Sequence, residues 1–382
     1  MNDWVARAKA LQGDIRAAQA EMSEARRMPD ALAARFAVAG FFRLCVPTAY
    51  GGAQAPVSTL VRTLEALART DASAAWVAMI GATTGALAAY MTPAAAREVF
   101  GDEDSIVTGV YAPMGRASVE GDAYRVSGQW KWNSGGQNSH WIAGGCLLTE
   151  GGKPKLSESG APMMRMMIAP RADVRHIDTW HTGGLKGTGS GDMAMSDLLI
   201  PHARSVSLTD DRAQIEAPLY AFPAFGLLAL GIAAVASGNA EGALEDFATA
   251  MAAKRAPNGR TLAERGTTQA LYAQAHGEYA AARAFLLQEV DAAWSEAEAG
   301  GVLSAPQRAK LRLAATHMTR TAAEIVRRLQ DFAGGASVFL GDPLQRRLGD
   351  AQTATAHIMI APMTYEMIGR VLLSGEAHIA EL

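Results

Sequence analysis

The sequence predicts an α+β protein that is mainly helical, with a β-domain set between two helical units. Three observations carry this: apolar residues recur at steps of four and three over the first hundred residues, the period falls to two between about Ser105 and Pro201, and the helical period returns from Phe222 onward. The division expected is 1–104 helical, 105–204 β and 205–382 helical. A chain of 382 residues is long enough for two or three such units and can bury a sizeable core.

Trp4, Ala8, Leu11, Ile15, Ala18, Met22 and Ala25 fall on one stripe of a long amphipathic helix. A second helix is expected over Pro29–Ala39, after which Pro47 and the Gly51-Gly52 pair mark a loop. Val57–Thr70 carries Leu60, Leu64 and Leu67, and Ala72–Met91 is alanine-rich with few charges, as suits a helix enclosed by others. After the turn residues Glu120-Gly121-Asp122, Tyr124, Val126, Trp130 and Trp132 interleave with Arg125, Ser127, Gln129 and Lys131, which predicts a strand with two distinct faces. Trp141–Leu148, Met163–Ala169 and Met193–Ile200 read as further strands. Ser304 followed by Pro306 starts a helix in which Leu311, Ala315, Met318, Ala322, Ile325, Leu329 and Phe332 repeat over about eight turns.

Composition narrows the partners. Hydrophobic residues make up 49%, charged residues 19%, and the formal net charge is -3, so electrostatics favours neither nucleic acid nor an anionic membrane. The apolar run Phe225–Ala236 is too short to span a bilayer and reads as a buried helix. Met1-Asn2-Asp3-Trp4 lacks the basic start of a secretory signal, so a cytoplasmic protein is expected. Cys45 and Cys146 stand in apolar settings without metal-ligand or disulfide spacing and read as small core residues; no metal site is expected.

Two stretches can carry chemistry. Within Pro343–Leu373, expected to be helical, His357 stands alone between apolar turns, and imidazole is the side chain whose ordinary pKa lies near neutrality. The competing reading is a satisfied core histidine. Trp130–Gly136 sets two indoles on a strand and ends it with a hydroxyl and two glycines, which suits a flat aromatic ligand; two packed tryptophans before a Ser-Gly-Gly turn would look the same. The glycine-dense Gly183–Gly191 lacks the GxxxxGK[ST] order and a βαβ context, so it reads as a close-packed connection between strands.

FRLCVPTAYGG with LEALARTDASAAW, then VSGQWKWNSGG, GGLKGTGSGDMAMSDLLIP, and PLQRRLGDAQTATAH with YEMIGRVLL form four blocks in order. Together they resemble the acyl-CoA dehydrogenase fold family, and within it the flavin-dependent monooxygenase branch, the oxygenase halves of two-component systems. The resemblance implies an N-terminal helical domain, a β-barrel-like middle domain and a C-terminal four-helix bundle, assembled as a homotetramer with flavin at the subunit junction. It implies that Trp132 and Ser134, with Asn133 between them, flank the flavin ring, Ser134 lying near N5. Arg255 resembles an arginine that reaches a flavin phosphate across the interface, and Gly334-Gly335 resembles paired glycines that let backbone approach the cofactor.

The two branches need different groups. A dehydrogenase abstracts a proton alpha to a thioester with a carboxylate base, whereas Ala356-His357-Ile358-Met359 carries none, and Glu366, in a segment resembling the oxygenase YExxGR pattern, is assigned a structural ion pair. His357 matches the branch's C-terminal histidine, which handles a flavin C4a-hydroperoxide or a substrate proton. Several relatives have a second histidine in the N-terminal domain; Met79–Tyr90 has none, and His140 is either its substitute or a surface residue. The chain is therefore read as a monooxygenase that takes reduced flavin (FMN or FAD) from a separate NAD(P)H-dependent reductase and O2 as co-substrate. The substrate expected is small, apolar and aromatic or heteroaromatic, such as an indole or phenol, in a pocket lined by Ala75–Tyr90 and Ile358–Met363. The alternatives are an acyl-CoA dehydrogenase and a non-catalytic flavin-fold scaffold.

Overall fold

The computed structural model describes residues 2–157 and 160–374. Six helices come first: α1 (Asn2–Ala10), α2 (Gln12–Ala25), α3 (Asp30–Val38), α4 (Val57–Ala68), α5 (Ala72–Thr84) and α6 (Pro93–Phe100). The single long helix expected at the start is divided at Leu11, which leaves helical geometry (φ -89°, ψ 1°) just before the weak helix former Gly13. Its stripe survives the break: Ala8, Leu11, Ile15 and Met22 are buried, while Ala25 is exposed. Asp71 caps α5 by accepting from Ala74 N at 3.0 Å. Small side chains then let α5 pack against α4, α8 and the sheet at once.

The strands are β1 (Val107–Glu120), β2 (Ala123–Trp130), β3 (Trp141–Glu150), β4 (Lys153–Pro154), β5 (Met164–Pro170), β6 (Arg175–Ile177), β7 (Asp192–Pro201) and β8 (Ser205–Val206). They form one mixed sheet in the order β6-β7-β2-β1-β3-β5-β8, with β4 on β3. β1 pairs antiparallel with β2 and parallel with β3, and its register with β3 shifts between Val110 and Gly115, which bends the expected barrel-like unit. Tyr124, Val126, Trp130, Cys146, Met167 and Met193 belong to a core of the sheet's own. Val107, Met166 and Ile168 pack with Leu87, Val99 and Phe100, which joins the sheet to the N-terminal helices.

The C-terminal part comprises α7 (Pro218–Ala221), α8 (Ala224–Ala253), α9 (Gly266–Glu298), α10 (Ala305–Ala333), α11 (Pro343–Thr355) and α12 (Thr364–Ser374). The expected four-helix bundle is α8 to α11, with α12 against α10. Ser304 and Gln307 close a capping box at the start of α10, and the predicted stripe from Leu311 to Leu329 is buried; Phe332, at its end, is exposed. Two segments, Ala72–Tyr90 and Ala224–Ala253, are long and apolar enough to cross a membrane, but their apolar windows are 83% and 89% buried within the protein, as core helices are. Cys45 and Cys146 are free and fully buried, and burial pushes both thiols up to about 12.

Arg347 on α11 ties the helical units together. Its side chain is nearly fully buried, and its guanidinium donates to Ala68 O at 3.1 Å and Arg69 O at 2.7 Å, capping the C-terminus of α4, and to Asp246 on α8 at 3.0 Å. Asn239 Nδ2 donates to Arg347 O at 2.9 Å from the same helix α8. Gly242 leaves room for the guanidinium, since a Cβ there would lie 2.3 Å from Arg347 Nη2. Arg347→Ala should lower the free energy of unfolding by about 3 kcal/mol, because it strands the α4 carbonyls and Asp246 together. A urea titration giving less than about 1 kcal/mol would show that the linkage is dispensable.

Candidate active site

The chain leaves the sheet earlier than the alternation predicts. β2 ends at Trp130, and Trp132 takes a left-handed conformation (φ 65°) with 58% of its surface exposed. The two indoles therefore share no face. Trp130 is fully buried, its Nε1 donating to Gly145 O at 2.6 Å in a slot that Gly115, Gly128 and Gly144 leave open. The departure has a cause: Asn133 N donates to Gly191 O at 2.9 Å and Gly135 N to Thr188 O at 2.8 Å, drawing the turn toward the 183–191 loop. These bonds hold Trp132 in a conformation that costs a non-glycine residue about 1–2 kcal/mol.

The loop is the close-packed connection expected, and it is held from three sides. A Cβ on Gly187 would touch Met22 of α2 and Ser73 of α5, both at 3.0 Å, and one on Gly184 would lie 1.9 Å from Gly349 O of α11. Asp350, one residue on, accepts from Leu185 N at 2.6 Å. Leu185 has φ 50° and Trp180 Nε1 donates to its carbonyl at 3.0 Å. Burial and the charge of Asp71 push the Asp350 carboxyl above the ordinary carboxylate range, against Leu185 N–H, Arg346 and Arg347, which favour its charged form. Beyond Leu185 runs a line of buried hydroxyls: Thr188 Oγ1 donates to Leu185 O at 2.7 Å, Ser190 Oγ lies 2.6 Å from Thr188 Oγ1, and Ser134 Oγ lies 2.6 Å from Ser190 Oγ.

His357 does not sit within a helix. α11 stops at Thr355, and His357, in extended geometry, caps the 3-10 turn Ile358–Ile360, its Nδ1 accepting from Met359 N at 3.2 Å. That bond leaves the proton of the neutral ring on Nε2, so Nε2 is a donor. The half-buried ring lies 5.9 Å from the Trp76 indole of α5, centroid to centroid. Burial, and then the nearby Arg312 guanidinium, lower its pKa from 6.5 to about 4. α5 thus meets both parts of the site, since Trp76 faces His357 and the next residue, Val77, lies against the turn, 3.0 Å from where a Gly135 Cβ would be.

The other candidates lie elsewhere. Arg255 is exposed at the end of α8, its Nη1 donating to Gly259 O at 3.0 Å. Gly334 and Gly335 follow α10, and Lys254 Nζ donates to Ala333 O at 2.8 Å, so Arg255 and the paired glycines share one end of the bundle. No hydrogen bond or ion pair among the described residues joins them to the Trp132–Ser134 turn. His140 is exposed, its Nδ1 accepting from Ile106 N at 3.0 Å as a brace beside β1 and β3. Glu366 corrects the expected ion pair: it is exposed in the first turn of α12, where a carboxylate suits the helix N-terminus, and forms no ion pair among the described residues. Ala75 to Ala82 pack into the core rather than lining an open pocket, whereas Ile358 and Met363 are exposed. Thr188, Ser190 and Asp350 were not anticipated; the Thr and Ser set between glycines in GTGSG, and a single acid amid the small residues of α11, are the signals that mark them.

The imidazole reading can be tested directly. Nitrogen-15 spectra of labelled histidine should show His357 neutral and protonated on Nε2 at pH 7, titrating near 4; a midpoint near 6.5 would mean a solvated ring. Because the unfolded chain takes up this proton at higher pH than the folded one, His357 should make stability fall as the pH drops from 6.5 toward 4, a contribution that His357→Asn removes.

Sequence models of the acyl-CoA dehydrogenase N-terminal domain and C-terminal domain match residues 6–101 and 230–362. The chain is 28% identical over 343 residues to an indole-3-acetate monooxygenase of Pseudomonas putida, covering 89% of this chain and 86% of that protein. It is 26% identical over 386 residues to the oxygenase component of an FADH(2)-dependent resorcinol hydroxylase of Rhizobium sp. (strain MTP-10005), covering 96% and 92%. Among solved structures, the HsaA monooxygenase of M. tuberculosis superposes with a TM-score of 0.91 at 25% identity, over 100% of this chain and 99% of that one. With its two helical units matched by the family's models and its whole length superposing on a solved relative, the chain belongs to the acyl-CoA dehydrogenase family.

Proposed function

We propose that the chain is the oxygenase component of a two-component flavin-dependent monooxygenase. It takes reduced FMN or FAD from a separate NAD(P)H-dependent reductase and uses dioxygen to hydroxylate a small aromatic or heteroaromatic compound such as an indole or a phenol. One observation carries the reading: where a dehydrogenase of this family would present a carboxylate, the chain presents His357, neutral at working pH with a donor on Nε2. The activities of the relatives, an indole-3-acetate monooxygenase and a resorcinol hydroxylase oxygenase component, support it.

The turn fits a flavin ring. Asn133 Oδ1 is buried without a hydrogen-bond partner among the described residues, and the polar rim of an isoalloxazine carries N–H groups that would supply one. Trp132, Asn133 and Ser134 would hold the ring, with the exposed indole as a cover. When bound, reduced flavin supplies the electrons and the position at which dioxygen is activated. Nε2 of His357 would be the hydrogen-bond donor available to an oxygen atom held there. With Nδ1 occupied by Met359 N–H, the ring is a poor proton acceptor, which supports positioning of an oxygen atom over deprotonation of a phenol. Asp350 and Arg347 hold the loop and α11 that frame the site.

Arg255, Gly334 and Gly335 belong in this reading to a second subunit's cofactor. Val338, Phe339 and Leu340, beside those glycines, are exposed apolar residues, as suits a homotetramer interface. The three-domain division 1–104, 105–204 and 205–382 and a cytoplasmic location complete the proposal. Ile358, Met359 and Met363 give it an apolar substrate surface next to His357.

Given chemically reduced FMN or FAD and a panel of indoles and phenols, the protein should consume oxygen in step with hydroxylated product. His357→Ala should lower that rate about a hundredfold while flavin affinity holds. Bleaching of bound oxidised FAD by an acyl-CoA, without oxygen uptake, would instead establish a dehydrogenase. Phe339→Asp should shift the sedimentation profile from tetramer to smaller species, and an unchanged profile would place the interface elsewhere.

A further inference from the structure

We infer that Thr188 and Ser190 fix the Ser134 hydroxyl as a hydrogen-bond acceptor toward the flavin ring, so that this site selects the reduced cofactor over the oxidised one. The inference rests on the reading above, in which the Trp132–Ser134 turn holds flavin with Ser134 at N5.

The argument is a proton count along the buried hydroxyls. Leu185 O carries no hydrogen, so its 2.7 Å contact with Thr188 Oγ1 takes the one hydroxyl proton of Thr188. The 2.6 Å contact between Thr188 and Ser190 then needs the proton of Ser190, and the 2.6 Å contact between Ser190 and Ser134 needs that of Ser134. The order runs one way because it is anchored at one end. Leu185 cannot turn its carbonyl away, since Asp350 holds its N–H, Trp180 Nε1 donates to its oxygen, and the residue is already in a left-handed conformation. Thr188, Ser190 and Ser134 are all buried, so bulk water does not compete for these protons.

Ser134 is thus left with lone pairs and no proton to give. N5 of oxidised flavin is itself an acceptor, and lone pair would face lone pair; N5 of reduced flavin carries a hydrogen and pairs with Ser134 directly. For an oxygenase supplied by a separate reductase, this places discrimination in the binding step: spent oxidised flavin is released and reduced flavin retained. Thr188 and Ser190 act through Ser134 and are positioning residues.

The test is anaerobic equilibrium binding of oxidised and reduced FMN and FAD to the intact protein. The wild type should bind reduced flavin at least about tenfold more tightly, the scale of one hydrogen bond. Thr188→Val, nearly isosteric, frees the Ser190 proton to turn toward Ser134, and Ser190→Ala removes the acceptor of the Ser134 proton. In both variants Ser134 can donate, so the ratio should fall about tenfold, equivalent to about 30 mV lower two-electron potential of the bound flavin. Thr188→Ser, which keeps the hydroxyl, should keep the ratio. Equal losses of affinity for both redox states, or an unchanged ratio in both variants, would overturn the inference while leaving the flavin site standing. A wild type that binds neither form would overturn the flavin reading itself.

Discussion

The arrangement depends on one buried cation. An arginine stays charged at any working pH, so enclosing Arg347 obliges its surroundings to provide acceptors, and the last carbonyls of α4 together with Asp246 provide them. This sets where α11 lies relative to the N-terminal helices. Two residues later Gly349 meets Gly184 backbone to backbone, a contact that any side chain at either position would prevent. Three residues after Arg347, Asp350 takes the Leu185 N–H. A requirement for charge compensation in the helical core is thereby converted into the position of a loop beside the sheet.

From that loop the constraint passes to the turn after β2. Thr188 O and Gly191 O accept the N–H groups of Gly135 and Asn133, which keeps Trp132 in a conformation it would not choose alone. α5 closes the arrangement with Trp76 against His357 and Val77 against the turn. The helical units act here as a scaffold for a small number of aimed polar atoms, and the sheet supplies the strand end from which they project.

Much of this was legible in the sequence, and the exceptions have physical reasons. The stripe Leu311 to Leu329 and the Ser304 cap identify α10 because periodicity and capping act through neighbours along the chain. The alternation Tyr124-Val126-Trp130 likewise identifies β2, but nothing local signals that Trp132 leaves it, since the bonds that pull it out come from Thr188 and Gly191. His357 stands among residues with acceptable helix propensity, and the break there comes from its own side chain capping the next turn. The hydroxyl line was not legible either, because Ser134 and Ser190 are 56 positions apart and only the loop's anchorage brings them together. The separation of Arg255 and the paired glycines from the turn follows from their place at the far ends of α8 and α10, which spacing alone does not give.

The two cysteines acquire a different significance beside this chemistry. An enzyme that activates dioxygen with a freely exchanging cofactor is exposed to the hydrogen peroxide that leaks when the reaction uncouples. Thiolate, rather than thiol, is what peroxide attacks, and Cys45 and Cys146 are sealed inside the two cores with their ionisation pushed up to about 12. Oxidative wear should therefore begin not at sulfur in the cores but at an exposed thioether such as Met363, a few residues from His357, where a new sulfoxide would turn an exposed apolar surface polar.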